Sequence, residues 1–459
     1  MIAEPDTSLM SLYEAHRDVI EKDSSSLVNA ARQSAVQAFA RLGIPSNKTE
    51  AYKYTNLQDW FKTDMAATWA NPGLNDRVEE VFKCEVDAIE AHTIFVVNGH
   101  YQHGTNNDSL PQGVLLGSFA SLSKQYPDIV EQYYAKYAPT EEDGLVAFNT
   151  MCAVDGVFIY IPRNKVVEKP IQIVNLLSGD EDVMVFQRNL IVVEEGAQAR
   201  VLLCDHTLSS NRFVVNSVTE GHVSERGSLD FYNIQNQHNG TVQVGGYYFN
   251  QEADSVLNAN YFTLNTGIAR NNIFMRLNGS HAGNHLSGLY LTDKNQHVDN
   301  FTFIHHAVPD CESNELFKGV MDDSSTGAFT GRILVAPDAQ RTNAYQSNNN
   351  LLLTDNAKIN TRPQLEIYAD DVKCSHGATV GQLDENALFY LRARGISKDE
   401  ALILLMYAFA YEVIEKIKVP ALQEQIRELV EKRFRGELDK CDSCIICNHL
   451  TEKFQELIK

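Results

Sequence analysis

The stretch Leu365-Glu-Ile-Tyr-Ala-Asp-Asp-Val-Lys-Cys-Ser-His-Gly-Ala-Thr-Val-Gly381 divides the chain. It opens in strand alternation, with Leu365, Ile367 and Ala369 on one side and Glu366, Tyr368 and Asp370 on the other. It ends in Cys374-Ser375-His376-Gly377, where a thiol and an imidazole stand two residues apart and share one face of an extended strand. Both groups ligate iron, copper or zinc. Upstream the pattern is one of short strands, and downstream it turns helical and stays so.

Working back from this seam, residues 147–380 read almost wholly as β. Strand-length apolar runs such as Val157-Phe-Ile-Tyr-Ile, Asn189-Leu-Ile-Val-Val and Phe301-Thr-Phe-Ile are split by Gly, Asn and Asp. A sandwich, a propeller and a solenoid all fit such a series. A propeller would repeat every ~40 residues with periodic aromatic signatures, and none is present. Two features favour a stacked β-helix over a sandwich. Apolar residues alternate with Ser, Thr, Gln or Arg, which suits coils with a dry inner face. Asparagines such as Asn258, Asn271, Asn284, Asn300 and Asn348 are expected at strand ends, laddering between coils and tolerating left-handed turns.

Helices are expected on either side. In residues 1–146, Ser24-Ser25-Ser26 offers N-cap hydroxyls and Gly43 with Pro45 stops the helix that follows. Tyr52-Lys53-Tyr54 reads as a packed amphipathic corner. In residues 381–459, Asp384 caps a helix stopped by Gly395, and Ser397-Lys-Asp-Glu400 is a capping box before a helix that is apolar nearly all round. That pattern predicts burial of the helix against the solenoid end or a partner. The two helical regions are expected to cap the ends of the stack.

Composition bounds the chemistry. The chain has 459 residues and a formal charge of −21, which argues against a nucleic-acid backbone or an anionic membrane as main partner. The N-terminus shows no basic start with an apolar run, and no stretch of about 18 apolar residues occurs. Eight cysteines are too sparse for a disulfide scaffold, so a reducing, cytoplasmic setting is expected.

Longer motifs add a family. The blocks His306-Ala-Val-Pro-Asp-Cys-Glu-Ser-Asn-Glu-Leu-Phe-Lys-Gly-Val-Met321, Gly327-Ala-Phe-Thr-Gly331, Gln340-Arg-Thr-Asn-Ala-Tyr-Gln346, Asp371-Val-Lys-Cys-Ser-His-Gly-Ala-Thr379 and Leu388-Phe-Tyr-Leu-Arg-Ala-Arg-Gly-Ile396 resemble the SufB/SufD family. These are scaffold subunits of the SUF iron–sulfur cluster assembly machine. The resemblance covers residues 147–417 and reaches the N-terminal Tyr52-Lys-Tyr-Thr-Asn-Leu57. It implies a right-handed parallel β-helix between helical domains. The SufB type carries a sulfur-accepting cysteine in the segment matching residues 351–363, where this chain has none. The form Cys374-Ser-His-Gly-Ala-Thr379 follows the SufD branch of the family.

That resemblance implies a non-catalytic scaffold that forms a heterodimer with a SufB-type subunit through the β-helices. His376 would be an interfacial ligand for iron or a nascent cluster, with Cys374 an auxiliary thiolate. It also implies docking of a SufC-type ATPase on the C-terminal helices, around Tyr390, Arg392, Arg394 and Gly395. No Gly-x4-Gly-Lys-Ser/Thr motif occurs, so no nucleotide is expected on this chain itself. Self-pairing of the isolated chain stays open. The run Cys441-x2-Cys444-x2-Cys447-x-His449 has a spacing that could hold metal or accept sulfur. His305 and His306 should point to opposite faces of a strand, and His281 and His285, set among Gly and Asn, are unsuited to a helix. A calcium-dependent polysaccharide-active enzyme, the other common host of β-helices, is the alternative, with Asp370-Asp371 its weak signal.

Overall fold

The computed structural model describes residues 7–62, 65–72, 89–104 and 109–438. Period-two alternation gives each strand a dry row and a second row, and the dry rows turn inward around one axis. The first strands are β1 (Ala66–Ala67), β2 (His92–Val97), β3 (His100–Gly104), β4 (Leu115–Ser118), β5 (Val157–Ile161) and β6 (Ile171–Leu177). The stack continues through β7 (Val183–Val193), β8 (Gln198–Thr207), β9 (Phe213–Val223), β10 (Ser228–Asn236), β11 (Thr241–Gln251), β12 (Val256–Asn265) and β13 (Ile268–Leu277). It ends with β14 (Gly283–Thr292), β15 (His297–His306), β16 (Glu312–Met321), β17 (Thr326–Val335), β18 (Asn343–Leu352), β19 (Lys358–Ile367) and β20 (Lys373–Gly381).

From β5 onward, successive strands alternate between two sheets. Odd strands run in parallel order from β5 to β19, and even strands from β6 to β20, with β2 and β3 continuing the even sheet and β4 the odd one. The chain therefore winds as a parallel β-solenoid, as the alternation predicts. Register is kept from coil to coil. Gln198, Ser228, Val256, Gly283, Glu312, Asn343 and Lys373 form one column. Inside, Val201, Phe231, Tyr261 and Phe317 from even strands meet Ile191, Tyr247, Ile273 and Phe329 from odd ones.

Each sheet also has an outer face, and helices cover part of both. On the odd sheet lie α1 (Thr7–Lys22), α2 (Ser26–Leu42) and, after α3 (Phe119–Gln125) and α4 (Pro127–Tyr133), α5 (Gly144–Cys152). Ser25 caps α2 by accepting from the Val28 N–H, and Phe148 of α5 stacks on Phe39 and meets Phe186 of β7 edge-on. On the even sheet, α7 (Lys398–Ile414) and α8 (Pro420–Phe434) set Ile414, Leu422 and Ile426 against Leu202, Tyr232 and Phe262. Between β20 and α7 runs α6 (Glu385–Ala393), with no buried residue.

Two expectations change here. The C-terminal helices lie along the flank of the solenoid, because α7 finds its apolar neighbours on the outward row of the even sheet; the last coil carries no helical cap among the described residues. The asparagines do ladder, as in the Asn271 Nδ2 bond to Asn300 Oδ1 at 2.9 Å, but they do so from within strands. Left-handed corners are taken by Asn164 early in the stack and thereafter by Arg226, Asp254, His281, Lys294, Asp310, Asp323 and Arg341. A laddered amide is satisfied only while stacked on its neighbour, whereas corner side chains pair with one another at the surface, as Arg341 does with Asp310 and Arg226 with Glu195.

Candidate metal-ligating edge

Among the described residues, the last coil consists of β19, hydrogen-bonded only to β17, and β20, hydrogen-bonded only to β18. Their far edges carry a row of unpaired backbone donors and acceptors, which in a folded protein ordinarily requires cover, charge or a partner. Apolar side chains stand exposed along this rim, namely Ile367, Val380 and Tyr368, the last 63% exposed.

Register places the two sequence-predicted ligands within this rim. Cys374 pairs with Ala344, which pairs with Ser313; His376 pairs with Gln346, which pairs with Glu315. Ala344, Ser313, Gln346 and Glu315 are all buried inner-row residues. Cys374 and His376 therefore continue the inner row at the mouth of the solenoid. Cys374 is half-buried against the inner core, while His376 is exposed. Burial pushes the Cys374 thiol up, opposed by the backbone N–H of Ala344. As a thiolate donor it needs a cation beside it. No cluster of three or more His, Cys, Asp or Glu suited to a metal occurs among the described residues, so this mouth offers two donors and open space.

The lumen beneath is polar. Gln346 Nε2 donates to Glu315 Oε2 at 2.7 Å, and burial pushes the Glu315 carboxyl up to about 7. His306, bonded through Nε2 to Ser313 Oγ at 2.8 Å, is pushed down by burial to about 4. Its neighbour His305 faces the other way, beside Phe303, so the two share no ion. His281 occupies a left-handed corner and His285 lies in β14. Asp371 is fixed through its backbone: its N–H donates to Gln340 Oε1, and its carbonyl accepts from the Arg341 N–H.

The sequence-predicted ATPase contacts lie on and just after α6. Tyr390, Arg392, Arg394 and Gly395 are all exposed, and the Arg394 guanidinium sits 4.5 Å from the Tyr390 ring centroid. Phe389 is 74% exposed. Gly395 has φ +89°, the left-handed stop that glycine takes without strain. Cys441, Cys444 and Cys447 lie outside the described residues.

Residues 175–409 match the SufBD core domain of the SUF system of iron–sulfur cluster assembly, and residues 3–173 match the SufBD N-terminal region. The chain belongs to the SufBD family. It is 29% identical over 442 residues to the iron-sulfur cluster assembly SufBD family protein slr0076 of Synechocystis, covering 94% of this chain and 96% of that one. It is similar to the iron-sulfur cluster assembly protein SufD of Escherichia coli, 28% identical over 88% of this chain and 92% of that protein. The SufD of Bacillus subtilis is 27% identical over 85% and 91%.

The SufBD N-terminal region contains the Tyr52-Lys-Tyr-Thr-Asn-Leu57 motif, and its geometry goes beyond a packed corner. Thr55 Oγ1 donates to Asp299 Oδ2 at 2.6 Å and lies 2.8 Å from His297 Nε2. Arg270 bridges to Asp299 at 2.6 Å and lies 4.6 Å from the Tyr52 ring centroid, while the Tyr52 hydroxyl donates to Asp143 at 2.7 Å. These contacts fasten the N-terminal segment to the odd sheet. Sequence alone did not show this, since His297 and Asp299 lie more than two hundred residues from Thr55.

Proposed function

We propose that this SufBD-family chain is a non-catalytic scaffold for iron–sulfur cluster assembly. It pairs through the open end of its solenoid with a SufB-type subunit, and offers His376, with Cys374 beside it, to iron or a nascent cluster held at the seam. The carrying observation is the pair's position: two metal-competent donors on the inner row of a last coil whose edge no described strand pairs with. Two donors leave the remaining coordination positions of an iron ion to be filled from elsewhere, and an unpaired strand edge is where another chain docks. A neutral imidazole holds ferrous iron without the charge of a thiolate, which suits a cargo that must later leave. Segment 351–363 contains no cysteine, so sulfur is to be delivered by the partner. Exposed α6, with Phe389, Tyr390 and the Arg392 and Arg394 cations, supports docking of a SufC-type ATPase there.

The test is His376→Ala in a complex reconstituted with SufB- and SufC-type subunits. The variant is expected to co-purify normally and to lose cluster formation at least about tenfold, the low end of what a lost metal partner costs. Cluster formation at the full rate overturns the ligand role.

A further inference from the structure

The inner row below His376 continues as Gln346 in β18 and Glu315 in β16, each in register with the next. Both are buried, 3% exposed apiece. Because Gln346 Nε2 donates to Glu315, the end of the amide that faces down the axis is fixed. The amide oxygen is left without a hydrogen-bond partner among the described residues, although buried polar atoms nearly always have one. The opposite wall is shaped for this amide. A Cβ on Gly331 of β17 would stand 2.3 Å from Gln346 Nε2, so only glycine leaves room for it to lie across the lumen. Adjacent strands lie about 4.8 Å apart, and His376, in register with Gln346, is the next residue along the row.

We infer that Gln346 is a positioning residue for His376: its Oε1 accepts the N–H of one ring nitrogen and leaves the lone pair of the other directed out of the mouth. Glu315 holds the amide in the orientation this requires. A metal-ligating histidine characteristically donates its second ring N–H to an oxygen acceptor, which sets the tautomer and the ring's aim. The inference rests on the reading of His376 as a ligand.

The experiment uses the full chain labelled with ¹⁵N-histidine, with ring-nitrogen shifts reporting the tautomer and the His376 signals assigned by their loss in His376→Ala. One tautomer is expected to dominate. Gln346→Met should bring both to comparable populations. Cobalt(II) alone serves as the metal probe, and Gln346→Met is expected to weaken its binding about 10–100-fold, as loss of a ligand's hydrogen-bond partner does. Mixed tautomers already in the unsubstituted chain, or a single tautomer unmoved by Gln346→Met, overturn the positioning role and leave the ligand reading standing. A single tautomer together with cobalt(II) affinity unaffected by His376→Ala overturns the ligand reading, and the positioning role falls with it.

Discussion

Glu315 lies in the lumen with its carboxyl pushed up by burial from 4.5 to about 7. Between those values the folded chain holds a proton that the unfolded chain has released. Folded stability therefore falls as pH rises from about 4.5 to about 7, and the loss is complete above that window. Glu315→Gln removes this dependence. Relative to the unsubstituted chain, the variant should gain on the order of 3 kcal/mol between pH 4.5 and pH 8, read from urea-unfolding midpoints at both pH values. His306 slopes the other way: held down to about 4 from 6.5, it withdraws stability as pH falls through that interval, equally in both proteins. A stability difference that does not move with pH would show that Glu315 ionises freely. Cys374 and His376 could be found from the sequence because the two-residue repeat of a strand is local. Gln346 and Glu315 could not, because a whole coil separates each from the next and only register brings them together.

At the scale of elements, the strands were legible for the same local reason, and the stacking of β5–β20 followed from alternation without a propeller repeat. The placement of α7 was not. A helix apolar nearly all round does not specify which apolar surface it meets, and here that surface is the flank, leaving β19 and β20 open. If the rim is a pairing edge, charge should defeat it. Tyr368→Lys with Val380→Lys is expected to change the stability of the isolated chain by no more than about 0.5 kcal/mol, as at exposed sites generally. The same pair should abolish the complex with a SufB-type subunit in native mass spectra. Retention of that complex would place the interface elsewhere. Helix α6 has an independent test. Phe389→Ser with Tyr390→Ser alters no buried contact, since α6 buries nothing, so thermal unfolding should stay put while co-purification of a SufC-type ATPase is lost. Normal recovery of the ATPase would remove α6 from that role.

For the whole molecule, the distribution of cover sets where it opens. The clusters that join helices to the outer faces of the sheets include residues from β7, β9 and β11 on one side and from β8 to β16 on the other. None includes a residue of β17–β20, whose apolar contacts lie in the inner core, through Phe329, Ile333, Ala344 and their neighbours, while an Arg362–Glu50 ion pair ties β19 to the N-terminal segment. In a solenoid each coil is stabilised mainly by the coils beside it, and the terminal coil has one neighbour. Amide exchange should therefore grade along the axis. Amides of β9–β12 are expected to exchange only through global unfolding, and those of β19 and β20 faster by about two orders of magnitude or more, through local opening. A SufB-type partner seated on the rim would supply the missing neighbour, so adding it should slow β19 and β20 selectively and leave β9–β12 unchanged. Slow exchange at β20 in the isolated chain would mean that the last coil is already closed by contacts of its own, and His376 could not then face a second subunit. The gradient also suits the work proposed here, because a seam that must take up iron and later release a cluster is best built from the part of the fold that opens at least cost.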